Sequence, residues 1–226
     1  AGFDTVNDAT VLVTGHGVFG GEGDRLMAMG ALVMPAVGAK HIECMAGWGP
    51  LRHRFVLRDF ARRSAEIHAK KGLSIWDERR MPETIAYPRE HMYAMVDEQN
   101  TVQAILQTKH PGQFMIDYLL PGKNLAEDDV LELRSLESLS SGGGRRMLQH
   151  GARLARQQGR RAMYLLSSED GKRLYNAGRG THPRIPDGRE GREGMFIESE
   201  DFYYWDEEGI DYLLSGEFFN PNYIKP

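Results

Sequence analysis

From Val130 to Tyr175 the chain runs through an apolar strand, a Ser-Ser-Gly-Gly-Gly turn, an amphipathic helix, a second apolar strand and the start of another helix. Val130-Leu131-Glu132-Leu133-Arg134-Ser135-Leu136 alternates apolar and polar residues, as a strand buried on one face does. After the glycines, Met147, Leu148, Gly151, Ala152, Leu154 and Ala155 recur at three- and four-residue steps, while Arg145, Arg146, Gln149, His150, Arg153, Arg156 and Gln157 fill the other face. That is a helix lying on a sheet. Gly159 stops it, and Ala162-Met163-Tyr164-Leu165-Leu166 reads as a buried strand. Ser168, Glu169 and Asp170 then favour a helix start that carries Leu174 and Tyr175. The order sets the backbone N–H groups of Gly142 to Gly144 at the positive end of a helix directly after a strand, which points to a phosphate-bearing ligand.

At these residues the chain resembles the GCN5-related N-acetyltransferase (GNAT) superfamily. The family's Arg/Gln-x-x-Gly-x-Gly/Ala loop corresponds to Leu139-Ser140-Ser141-Gly142-Gly143-Gly144, with both glycine positions matched and Leu139 in place of the leading Arg or Gln. The family's Asn-x-x-Ala-x-x-Leu-Tyr falls on Ser168 to Tyr175, where Leu174 and Tyr175 match and Ser168 and Gly171 replace the Asn and Ala. The resemblance implies acetyl-coenzyme A as cosubstrate. Leu136, Ser140, Ser141, Gly142, Gly143, Gly144 and Ser168 would hold it, with Arg145 and Arg146 in the helix's first turn meeting its phosphates.

The implied activity is acyl transfer to an amine of a small molecule or protein. It needs donors that polarise the thioester carbonyl, a base for the amine and an acid for the departing thiolate. Tyr175 stands where the family places that acid; as a residue it reads equally as a buried aromatic. Glu132 and Glu137 are the candidate bases, or simply the polar half of an alternating strand. Asp97 and Glu98 read as turn residues.

Outside this core, His91 to Val96 and Val102 to Leu106 flank the polar gap Asp97 to Thr101 as a hairpin, and the apolar run Phe114 to Leu120 reads as an extension of it. Arg54 to Lys71, closed by Gly72, reads as a helix with Val56, Phe60, Ser64 and Ile67 on one side. Met195 to Ser199 and Phe202 to Trp205 have strand propensity. The expected fold class is α/β: a GNAT-like mixed, mostly antiparallel central sheet flanked by helices over residues 51–206, with an N-terminal strand-helix-strand extension (1–50) and an aromatic, acidic tail (207–226). A GNAT-like binding or interaction module without turnover is the alternative.

The N-terminal segment supports two other readings. Gly15-His16-Gly17-Val18-Phe19-Gly20 after Val11 to Thr14 has the Gly-x-Gly-x-x-Gly spacing of NAD(P)-binding oxidoreductases. Gly21 and Gly23 delay the helix, Pro35 interrupts it, and no repeating βαβ units follow. His16 and Cys44 could instead pair as a hydrolase dyad, against the plainer reading of a turn histidine and a small buried thiol.

A net charge of -4 over 226 residues argues against a general nucleic-acid binder. The single cysteine excludes an internal disulfide framework and fits a reducing, cytoplasmic setting. No apolar run approaches the roughly 20 residues that span a bilayer, the eight histidines lack metal-ligand spacing, and a homodimer stays open. Ala1-Gly2-Phe3-Asp4 is not read as a signal peptide, and the start at Ala1 reads as a trimmed or processed chain. Arginines crowd the glycine-turn region and acids crowd the C-terminus. These are either solvated faces, or contacts for coenzyme phosphates and an attraction for a cationic acceptor.

Overall fold

The computed structural model describes residues 41–68, 81–167, 171–182 and 202–219. The expectations placed on Gly15 to Gly20, His16, Ser168 and Met195 to Ser199 lie outside the described residues. The fold is mixed α/β. The six strands among the described residues follow chain order, β1-β2-β3-β4-β5-β6, in a mostly antiparallel sheet flanked by helices. The chain divides into two compact units, Ala1–Gln103 and Ala104–Pro226.

In the first unit, β1 (His41–Cys44) pairs antiparallel with β2 (Met92–Val96), from His41 opposite Val96 to Cys44 opposite Tyr93. Helix α1 (Pro50–His68) begins with a proline, whose missing N–H costs nothing in a first turn. It buries His53, Leu57, Phe60, Ala61 and Ser64 at helical spacing. Ile67, expected on that face, is 53% exposed in the last turn. Helix α2 spans Met81–Ala86. The turn after β2 is held by Asp97, whose carboxylate accepts from the Gln99 and Thr101 amides at 3.0 and 2.9 Å, as its turn reading requires.

In the second unit, which takes in β3 (Val102–Lys109) from Ala104 onward, β3 and β4 (Val130–Ser138) run antiparallel, β4 and β5 (Ala162–Leu166) parallel, and β5 and β6 (Phe202–Trp205) antiparallel. Helix α4 (Gly143–Gln157) links β4 to β5, as the glycine turn and the 3.6-residue pattern indicate. Its close approach to the sheet needs a glycine: a Cβ on Gly151 would stand 3.0 Å from Leu133 Cδ2. Helices α5 (Lys172–Ala177) and α6 (Glu207–Leu214) lie on the same sheet face as α4. Asp206 caps α6 by accepting from the Gly209 amide at 3.0 Å.

The apolar run Phe114 to Leu120 is not a strand. It forms helix α3 (Gln113–Leu119), with Ile116, Leu119 and Leu120 buried at three- and four-residue steps. A seven-residue apolar run carries no decisive period; what selects the helix is the opposite sheet face, where Ile116, Tyr118 and Leu119 pack with Val130, Ala162, Tyr164, Phe202 and Tyr204. Among the described residues no helix is long and apolar enough to cross a membrane, and no group of three or more His, Cys, Asp or Glu residues is placed to hold a metal ion.

Candidate functional site

Strands β4 and β5 are hydrogen-bonded neighbours only at their starts: Val130 pairs with Ala162, Leu131 with Met163 and Glu132 with Tyr164. Beyond that, β4 continues to Ser138 and β5 to Leu166 without pairing. The parallel strands therefore splay, and β4 from Leu133 onward presents backbone N–H and C=O groups to the opening rather than to β5. The opening leads to the glycine turn.

Gly142 adopts φ +76°, a left-handed conformation that glycine accepts without steric penalty. The turn is tied down locally. Ser138 Oγ donates to the Ser140 carbonyl at 2.9 Å and accepts from the Ser140 amide at 3.3 Å, and the Gly143 amide donates to the Ser140 carbonyl at 3.1 Å. The first bond of α4 runs from the Arg146 amide to the Gly142 carbonyl at 3.1 Å, so the Gly144 and Arg145 amides precede the helical ladder at the end of α4 that carries positive potential. A Cβ on Gly144 would meet Leu174 Cδ2 at 3.1 Å, Leu136 Cδ2 at 3.7 Å and Ser138 Cβ at 3.9 Å. The glycine turn, Leu136 of β4 and the start of α5 thus converge.

Tyr175 lies on that same side of the sheet. Its ring packs 5.2 Å from Tyr203 and 6.1 Å from Trp205, and a Cβ on Gly171 would stand 2.5 Å from its Cε2. Burial, with a smaller effect of Tyr203, pushes its phenol well above the usual tyrosine range, so the proton stays on. Its hydroxyl has no hydrogen-bond partner among the described residues.

Glu132 and Glu137 are five residues apart, and in an unbroken strand they would point to opposite faces. The register against β3 shifts between Gln107 and Thr108: Gln107 faces Ser135, but Thr108 faces Leu133. One extra residue, Arg134, sits on β4, and the bulge returns Glu132, Ser135 and Glu137 to one face, opposite α4. Ser135 Oγ donates to Gln107 Oε1 at 3.1 Å on that face. The Tyr164 hydroxyl donates to Glu132 Oε2 at 3.0 Å at the last paired position before the splay. Glu137 is buried nearer the turn.

Sequence reasoning missed Tyr164, whose polar tip hid in an apolar strand. It also missed Leu166, 47% exposed at the open end of β5. The arginines are divided by their partners. Arg156 pairs with Asp211, Arg161 with Glu207 and Asp129, and Arg160 with Asp128. Within the described tail, Asp206 caps α6, and Glu207 and Asp211 face arginines of the chain itself.

No protein-family model matches the sequence, and no curated protein does. Solved structures do. A GNAT-family acetyltransferase from Staphylococcus aureus Mu50 aligns over 75% of this chain and 99% of its own with a TM-score of 0.51 at 10% identity. A GNAT-family acetyltransferase from Listeria monocytogenes aligns over 73% and 92% with a TM-score of 0.47 at 13% identity. Tetrahymena GCN5 aligns over 74% and 94% with a TM-score of 0.45 at 12% identity. With its mostly antiparallel sheet, the splay after Glu132 and Tyr164 and the glycine turn leading into α4, this chain has the fold of the GNAT-family acetyltransferases.

Proposed function

We propose that the chain is an acyl-coenzyme A-dependent N-acyltransferase acting on an amine of a small molecule or protein. The observation that carries this reading is the splay of β4 from β5, which opens onto the Gly142–Gly144 turn at the start of α4. The turn, with Ser140, Ser141, the Gly144 and Arg145 amides and the Arg145 and Arg146 side chains, would hold the pyrophosphate. Leu136 and the unpaired backbone of β4 would bind the acyl-bearing arm and polarise its thioester carbonyl.

An arm anchored at the turn and laid along β4 from Ser138 back to Glu132 covers about 20 Å and ends where the two strands meet. The opening joins both faces of the sheet there. Glu132, steadied by the Tyr164 hydroxyl, would take the amine proton as the amine nitrogen bonds to the carbonyl carbon. Glu137 is the second candidate for that role. As the carbon–sulfur bond breaks, the leaving thiolate would take the proton of Tyr175 from the opposite side.

Thermal unfolding with acetyl-coenzyme A, NAD and NADP in parallel tests the reading. A ligand at 100 times its dissociation constant stabilises by about 2.7 kcal/mol, a rise of roughly 5–10 °C in a domain of this size. The expected result is a rise with acetyl-coenzyme A alone; a rise with NAD or NADP alone would overturn the proposal. Leu139, in place of the family's Arg or Gln, and the Gly143 amide taken up by Ser140 favour a second reading, a coenzyme-binding module without turnover. Binding with no amine-dependent thiol release across a panel of primary amines would select it.

A further inference from the structure

Helix α6 runs antiparallel along α4. Its first residues meet the far end of α4, where Arg156 pairs with Asp211 and also donates to the Glu207 carbonyl at 3.5 Å. Leu213 reaches Gly178 beside Leu148 in the middle of α4. The short 3-10 turn that follows, Gly216–Phe219, brings Phe218 to the first turn of α4. There the Arg145 guanidinium carbon lies 5.2 Å above the centre of the Phe218 ring. Phe218 is itself fixed: it is 3% exposed and packs edge-on to Tyr212 at 6.1 Å, and Arg179 covers Tyr212 at 3.9 Å.

Arg145 differs from the arginines further along α4. Arg153 donates to Gln149 at 2.7 Å and Arg156 pairs with Asp211, whereas Arg145 has no carboxylate partner among the described residues. A guanidinium lying over a ring face is attracted by the ring quadrupole and keeps its N–H donors, which point outward in its own plane. The ring therefore restricts the side chain without occupying the groups that would bind an oxyanion. The Arg145 backbone amide and that of Gly144 precede the helical ladder.

We infer that Phe218 is a positioning residue for a phosphate-bearing ligand: the C-terminal turn holds Arg145 over the start of α4, preorganised for bidentate contact with a diphosphate. This deepens the proposed function and rests on it. Restricting one long side chain before binding removes an ordering penalty that a free arginine would meet on contact.

Equilibrium binding of acetyl-coenzyme A to the full chain tests the inference, using Phe218→Leu, Phe218→Tyr, Arg145→Gln and the double variant Phe218→Leu/Arg145→Gln. Arg145→Gln is expected to weaken binding about tenfold, as loss of a charge-assisted contact does, and Phe218→Leu about threefold, the scale of an exposed cation–π contact. The double variant should bind no more weakly than Arg145→Gln alone, and Phe218→Tyr should bind as the unaltered protein does. Because Phe218 is buried, progressively fluorinated phenylalanines at 218 provide a second series that withdraws electrons from the ring face while keeping its shape. Binding should weaken with each added fluorine. Affinity unchanged across the fluorinated series, or losses that multiply in the double variant, would overturn the inference and leave the proposed function standing. Failure of the unaltered protein to bind acetyl-coenzyme A would overturn both.

Discussion

Tyr175 and Glu132, the proposed acid and base, lie on opposite faces of one sheet in surroundings set by burial and by a single hydrogen bond. Stacked against Tyr203 and Trp205, Tyr175 keeps its proton because a phenolate would lose its hydration there. A protonated phenol can donate a hydrogen bond to a thiolate, while the burial that raises its pKa opposes full transfer of the proton. Tyr175→Phe is expected to lower kcat about 100-fold or more, the scale of one lost acid–base group, with acetyl-coenzyme A affinity unchanged; steady-state rates beside calorimetric binding check it. An unaltered kcat would confine Tyr175 to packing. On the other face, the Tyr164 hydroxyl donates to Glu132 from within an apolar surround, and burial together with Glu132 pushes that phenol far above the usual range as well. Removing the donor leaves a carboxylate oxygen short of a partner, so Tyr164→Phe should cost about 1–3 kcal/mol in urea unfolding and lower the rate of amine acylation. A variant as stable and as fast as the unaltered protein would remove the pair from both accounts.

Among the elements, β4 carries the most information, and only part of it is local. Its alternation predicts a strand with one buried face, and the glycine turn, α4 and β5 follow from periodicity and stop signals that lie within a few residues of one another. The bulge is different. It exists in the register with β3, where Thr108 meets Leu133 after Gln107 has met Ser135, and nothing in Leu133-Arg134-Ser135 marks it. For the same reason the sharing of one face by Glu132 and Glu137 could not be read from their five-residue spacing, which taken alone separates them. Deleting Arg134 should therefore damage more than shortening a surface strand would. With the bulge gone, either Leu131 and Leu133 or Leu136 and Ser138 must turn away from α4. The expected loss is at least 3 kcal/mol, as for other disruptions of a packed core, whereas Arg134→Ala, which preserves residue count, should cost less than about 1 kcal/mol. Urea midpoints of the two variants make the comparison; equal losses would show that the bulge sets nothing. Helix α3 escaped sequence reading for a related reason, since Ile116 and Leu119 become helical through the sheet face that they cover.

At the scale of the whole molecule, charge proves to be organised by long-range pairing that composition conceals. The arginine-rich helix and the acidic tail looked like separate surfaces, yet Arg156 meets Asp211 and Arg161 meets Glu207, residues about 50 positions apart in sequence. What no local pattern could supply, here as with Phe218 and Arg145, was which distant residues the fold would place side by side. The same folding removes two histidines from water, one in each unit. Burial, reinforced by Arg153, lowers the pKa of His150 on α4 to about 3, and burial with Arg89 lowers that of His53 on α1 below its ordinary value of 6.5. Both are neutral in the folded chain near pH 7, while the unfolded chain binds protons at these positions as pH falls through 6.5. Stability is therefore full above that value and declines on the acid side. For His150 the decline is about 1.4 kcal/mol for each pH unit and continues down to a pH of about 3. Glu43 adds to it lower down: burial opposes its ionisation, but bonds from His41 and Trp48 and the charge of Arg52 outweigh that and hold its carboxyl below 4.5, so its contribution is lost as pH falls below that value. Urea unfolding from pH 8 to pH 4 should show a plateau followed by a fall beginning near 6.5. In His150→Met, which replaces the ring with an apolar side chain that fills space without titrating, the slope between pH 6 and pH 5 should be smaller by about 1.4 kcal/mol per unit, leaving the share that belongs to His53. An unchanged slope in that variant would mean that His150 gains its proton without leaving the fold, and that the acid sensitivity arises elsewhere.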